Sequence, residues 1–147
     1  MLQVVNIRSK REDIIAALKK RNIDAEALID EVIALDEKRR SIQFRLDESK
    51  SLINTLSAET GSLFKAGETE LANQKKQEVS AIKEESVPLE VELKEVSATL
   101  EKLLYSIPNA PHTSVPKGKS SEDNETLRTW GEATDAPHHT PHWDLTS

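Results

Sequence analysis

Residues 28–63 read LIDEVIALDEKRRSIQFRLDESKSLINTLSAETGSL. Leu28, Val32, Leu35, Arg39, Ile42, Leu46, Ser49, Ile53, Leu56, Thr60 and Leu63 recur there in alternating steps of four and three, for five consecutive heptads. A spacing of 3.5 keeps one stripe of an α-helix facing a partner helix, so the stretch reads as one side of a coiled coil. Lys65, Ala66 and Gly67 interrupt it. A second stripe follows in the same rhythm: Ala72, Lys75, Val79, Ile82, Ser86, Leu89, Leu93, Val96, Leu100, Leu103 and Ile107.

The two stripes mirror each other. The numbers of Leu63 and Ala72 add to 135, as do those of Leu56 and Val79, Ile53 and Ile82, Leu46 and Leu89, Leu35 and Leu100, and Leu28 and Ile107. A constant sum is what an antiparallel hairpin folded about Gly67 and Glu68 requires. Ser49 falls opposite Ser86, a polar layer of the kind that fixes register in coiled coils. Arg39 and Lys75 lie on the stripes and are expected to extend their charged ends to solvent. Arms of this length reach roughly 55 to 60 Å at about 1.5 Å per residue. Pro88 removes a backbone donor to Glu84; because it lies off the stripe, a bend is expected there rather than a break in pairing.

Working outward, Ser9 and Glu12 have capping-box spacing, which predicts a short helix from Ser9 to about Arg21 with Ile14, Ile15 and Leu18 as its apolar face. Asn22 is its expected stop and Asp24 the N-cap of the long helix. All six prolines lie at or after Pro88, and five at or after Pro108. The fold class is therefore all-α: a long antiparallel two-helix hairpin preceded by a short helix, with an extended C-terminal tail. Residues 1–107 form the arm. Residues 108–147 lack a helical period, and 109–147 are expected to be loosely held.

Composition agrees with a thin structure. Of 147 residues, 3% are aromatic and 31% charged, which suits helices joined along narrow seams. There is no cysteine, so disulfides, thiol catalysis and cysteine-based zinc sites are excluded, and a cytoplasmic protein is expected. No leader peptide and no membrane-spanning run is visible. His138, His139 and His142 cluster, with His112 further back, but they lack zinc-site spacing and read as loop histidines. Asp123, Glu125 and Glu132 have nothing to fix them as a catalytic pair. Trp130 and Trp143 read as packing anchors. No catalytic, cofactor-binding or metal-ligating residue is assigned.

Charge is distributed unevenly. From Lys38 to Lys83 there are nine basic and six acidic residues, a net +3 in a chain of −6. With Val32 and Val79 as position a, Gln43, Lys50, Ser57, Lys76 and Lys83 occupy e, with Arg40, Asp47, Asn54, Asn73 and Ser80 beside them at b. In an antiparallel pair the two e rows share a flank. The g and c rows of the other flank carry Glu48, Glu59, Glu78 and Glu85 with Arg45. One side of the arm is thus a basic strip bearing amides and hydroxyls, suited to phosphate and ribose. Charge on a coiled coil is more often plain solvated surface.

The start (Met1-Leu2-Gln3, Asn6-Ile7-Arg8), the segment Leu35-Asp36-Glu37-Lys38-Arg39-Arg40-Ser41-Ile42-Gln43 and the exit Ser106-Ile107-Pro108-Asn109 resemble the N-terminus of bacterial seryl-tRNA synthetases. So do Pro111-His112, Val115-Pro116-Lys117-Gly118-Lys119, Asp123-Asn124, Trp130-Gly131-Glu132 and Pro141-His142-Trp143. The resemblance spans the chain in order. It implies an arm that reaches the long variable arm of serine tRNA while a class II catalytic domain attaches serine using ATP and Mg²⁺. It also implies a cytoplasmic parent enzyme that dimerises through that domain. The sequence stops where such a domain would begin; the three class II motifs are absent, Pro88 is unusual in such an arm, and the chain is expected to be inactive alone. On this reading Arg40, Gln43, Lys50, Asn54, Lys76 and Lys83 contact tRNA. The rival readings are a coiled-coil adaptor for proteins, or a stand-alone paralogue that binds tRNA without catalysis. An adaptor should expose an apolar stripe, for which Leu52, Leu71 and Val87 are the scattered candidates.

Overall fold

The computed structural model describes residues 2–131 and Asp144. Among them there are four α-helices and no strand: α1 (Val4–Ser9), α2 (Arg11–Lys20), α3 (Glu26–Ala66) and α4 (Thr69–Ser106). The helices α3 and α4 pair along their length as the antiparallel hairpin that the seam periodicity predicts. A 41-residue helix is about 60 Å long.

The turn falls at the expected place for a specific reason. Gly67 takes a left-handed backbone (φ 82°), which a residue with a Cβ adopts only under strain. Its N–H donates to the Phe64 carbonyl at 3.2 Å, and the Glu68 N–H to the Leu63 carbonyl at 3.0 Å. This is a Schellman cap: it satisfies the last carbonyls of α3 and reverses the chain within two residues. Asn22 ends α2 in the same way. Its φ is 57°, its N–H donates to Lys19 and that of Ile23 to Leu18. Asparagine tolerates this conformation better than other residues with a side chain.

The hydrophobic layers thin from base to tip. At the base, Ile7 of α1 and Ile14, Ile15 and Leu18 of α2 pack with Ala25, Ile29, Val32, Leu100, Leu104 and Ile107. Further out, Ile42, Leu46 and Val96 are buried, with Leu35, Leu89 and Leu93 against them. Beyond these only Leu56 and Ala72 are buried, and Ile53, Leu63, Val79 and Ile82 are half-exposed. The base is thus a small globule and the distal arm a two-helix strip.

Two ionic clasps join the short helices to α3. Asp36 is 2% exposed; one of its oxygens accepts from Arg39 at 2.8 Å and the other from Arg8 of α1 at 3.5 Å. Arg11 of α2 lies 2.7 Å from Asp30 and 3.4 Å from Glu26. The hydrogen bonds from Arg11 hold the Asp30 carboxyl below the usual aspartate range.

Several local expectations are corrected. The first segment is two helices broken at Lys10, and Ser9 caps nothing: its hydroxyl bonds back to the Asn6 carbonyl. Ala25, not Asp24, occupies the N-cap of α3, although the Asp24 carboxylate accepts from the Glu26 N–H at 3.4 Å. Ser49 and Ser86 do not bond each other; each hydroxyl bonds to the carbonyl four residues earlier in its own helix. That geometry is always available within a helix and needs no partner. Arg39 and Lys75 end on carboxylates, Asp36 for the first, Glu59 and Glu78 for the second. At Pro88 the expectation of no break stands, since α4 is continuous from Thr69 to Ser106.

Part of the tail is held more firmly than its composition suggests. The Lys20 ammonium donates to the carbonyls of Thr113 and Val115, Arg21 to that of Asn109, and the Asn22 amide to that of Gly118. The Gly118 N–H returns to the Lys20 carbonyl at 3.2 Å. Residues 109–118 are therefore folded over the C-terminal end of α2. A Cβ on Gly118 would stand 2.5 Å from that of Asp123. The Asp123 carboxylate accepts from the N–H groups of Lys119 and Ser120, which lower its pKa. Trp130 is 87% exposed, with Arg128 stacked over its ring, so it anchors nothing among the described residues.

The register is directly testable. A variant carrying Leu46→Cys and Leu89→Cys should form an intramolecular disulfide under mild oxidation, and Leu46→Cys with Ile82→Cys should not; the reverse outcome would shift the pairing by one heptad. Replacing Asp36 by Asn should lower the unfolding free energy by about 1–3 kcal/mol in urea titrations, because two arginines lose their buried acceptor. The loss should be smaller in the Arg8→Ala background, since the two groups are coupled.

Candidate nucleic-acid interface

The flanks of the arm follow from the register. Thr55, Ala58, Glu59, Ser62 and Leu63 of α3 line an open groove of about 780 Å³ with Leu71, Gln74, Lys75 and Glu78 of α4. Arg45, Glu48, Ser49 and Leu52 line a second, of about 240 Å³, with Glu85 and Leu89. The g and c rows of both helices thus share one side, as expected for an antiparallel pair, and the e rows share the other.

On the g side glutamates predominate and two of the cations are paired with them, while Arg45 makes no ion pair among the described residues. Lys75 lies 3.7 Å from Glu59 and 3.3 Å from Glu78, and Lys38 lies 2.8 Å from Glu92. The e side differs. Arg40, Lys50, Asn54, Lys76 and Lys83 are all exposed, and the four cations among them make no ion pair among the described residues. Gln43 is half-buried and donates to Asp47 at 2.9 Å, so its amide is held in place within the strip. Free cations spaced along one side of a rigid arm present a row of positive charge to a polyanion without first breaking internal salt bridges.

Sequence reasoning located this strip but undercounted the exposed apolar side chains. Besides Leu52, Leu71 and Val87, the structure exposes Phe44, Phe64, Val91 and Tyr105 on the hairpin. The signal was present, since none of the four occupies a seam position. The Asp36 clasp also went unread, because an aspartate one residue from a seam leucine looks like solvated surface until α1 is placed.

The remaining candidates do not assemble. His112 shares a turn with Ser114, its Nδ1 lying 2.8 Å from the hydroxyl. His138, His139, His142, Glu132 and Trp143 lie outside the described residues. Among the described residues, no three His, Asp or Glu side chains group closely enough to hold a metal, and no helix is long and apolar enough to cross a membrane.

Comparisons with known proteins agree with this architecture. The chain is 34% identical over 145 residues to the serine–tRNA ligase of Mesoplasma florum, and 40% identical over 147 residues to that of Rhizobium rhizogenes. Each alignment covers 99% of this chain but only 34% of the relative, so the chain spans about a third of their length. In structure it resembles the seryl-tRNA synthetase of Pyrococcus horikoshii, solved in complex with ATP, with a TM-score of 0.73 and 29% identity over 89% of this chain and 29% of the other. The family model of the seryl-tRNA synthetase N-terminal domain matches residues 1–111, and the chain belongs to that family.

Proposed function

We propose that the hairpin is the tRNA-binding arm of a cytoplasmic serine–tRNA ligase, and that its e flank, through Arg40, Gln43, Lys50, Asn54, Lys76 and Lys83, carries the contact with serine tRNA. The observation that supports the reading is the asymmetry of the arm. One flank carries Arg40, Lys50, Lys76 and Lys83 without ion pairs among the described residues, the other holds the glutamates and pairs Lys38 and Lys75 with them, and this occurs on a domain of the seryl-tRNA synthetase family. The parent enzyme acts as a homodimer in this proposal and attaches serine to tRNA with ATP and Mg²⁺. Both act in the catalytic domain of the parent in this proposal. The task of the hairpin is to grip a tRNA by its projecting variable arm and so orient its far end.

RNA of this kind is recognised by shape and backbone placement. Serine tRNA should therefore bind with an affinity that falls with salt, with a log–log slope of roughly −3 for three or four neutralised phosphates. Reversing Lys50 and Lys83 to Glu should abolish binding in filter or anisotropy assays, whereas reversing Glu59 and Glu78 to Lys should not weaken it. A tRNA whose variable arm is shortened should bind worse than the intact one.

One feature favours a second reading, a protein-binding adaptor: the groove around Leu63 and Leu71 is open, and Leu52 and Leu71 are exposed on the same flank. Equal affinity for the long-armed and shortened tRNAs would turn the assignment toward it. Independently, the 147-residue chain should show no serine-dependent ATP–pyrophosphate exchange. Exchange above background would overturn the assignment of catalysis to other parts of the parent.

A further inference from the structure

The distal arm contains a feature that charge does not explain. Phe64 occupies position e, in the row of Gln43, Lys50 and Ser57, three residues before the left-handed Gly67. Its neighbour Leu63 takes the seam, and the ring of Phe64 is left 45% exposed. The backbone beneath it is fixed: the Phe64 carbonyl accepts the Gly67 N–H at 3.2 Å as part of the cap. A large apolar ring is thus held half-open at the end of a polar, cationic strip. Leaving apolar area in water is unfavourable at about 25 cal/mol per Å².

Resting on the tRNA-binding reading, we infer that Phe64 is a stacking platform for an unpaired base of the bound RNA. Single-stranded RNA is held elsewhere by this same pairing of a cationic track with aromatic faces. Every base has a π-face, so stacking needs no pocket. The ring stands at the tip, where the cationic row ends and an RNA lying along Lys83, Lys50 and Lys76 would reach the turn. Phe44 provides an internal contrast. It is more exposed, at 63%, but occupies position f, outside both flanks.

The test uses the whole chain and a serine tRNA transcript. Phe64→Ala and Phe64→Leu should each weaken binding by about 5- to 100-fold, and Phe64→Tyr should restore it to within about threefold. Because a neutral ring releases no counterions, the salt slope should be unchanged in all three variants. Phe44→Ala should bind as the parent chain does. Circular dichroism melts matched to the parent would show that the hairpin is intact. Leucine binding as well as phenylalanine would overturn the inference, and so would a weakening that tyrosine does not rescue. If that happens while the Lys50→Glu, Lys83→Glu variant still loses binding, the stacking role fails and the basic-flank reading stands. If the charge reversals also have no effect, both fail.

Discussion

Two helices that touch along a strip one side chain deep cannot rely on bulk burial to stay in register. The hairpin meets this constraint at its two ends. At the tip, Gly67 forces a reversal within two residues, so the first seam residue of α4 meets the last of α3. At the base, α1 and α2 thicken the structure, and Arg8 and Arg11 clasp Asp36 and Asp30 of α3. Between these anchors, Ile42, Leu46 and Val96 form the main buried layer, in which truncating a leucine would remove roughly 2 kcal/mol or more. A slip of one heptad would have to break the cap, the packing of Leu100, Leu104 and Ile107 at the base, and this layer together.

The same constraint defines what the arm can offer a partner. With its apolar atoms committed to the seam, the surface is made of rows whose identity the register dictates. The g and c rows meet across grooves where Lys75 bridges Glu59 and Glu78. The e rows meet with Arg40, Lys50, Lys76 and Lys83 unpaired. The sidedness of charge is therefore a property of the paired helices, and it vanishes if either helix rotates.

Most of the hairpin was legible because a heptad seam is a one-dimensional signal and a mirrored pair of seams also encodes its own fold. The turn at Gly67, the pairing of Leu46 with Leu89 and the flank bearing Lys50 and Lys83 all follow from that arithmetic. What escaped depends on a third body. Asp36 is buried only because α1 lies over it, and α1 is a six-residue helix without a cap signature. Asn109 and Thr113 are tied down only because α2 ends beside them. The exposed Phe64 was overlooked for a different reason: seam reading accounts for apolar residues by position and passes over those that fall outside it.

The docking of residues 109–118 makes the base a mechanical joint. The peptide leaving Ile107 is fastened to the end of α2 by Lys20, Arg21 and Asn22, and α2 is in turn fastened to α3 by Arg11. A load applied at the tip, some forty residues away along α3, thus reaches residue 118 by two routes. One runs through the last turn of α4, the other across α3 and α2. A rod held at one point pivots, whereas a rod held at two transmits its tilt. The backbone at Gly118 is thereby oriented by the arm as well as attached to it.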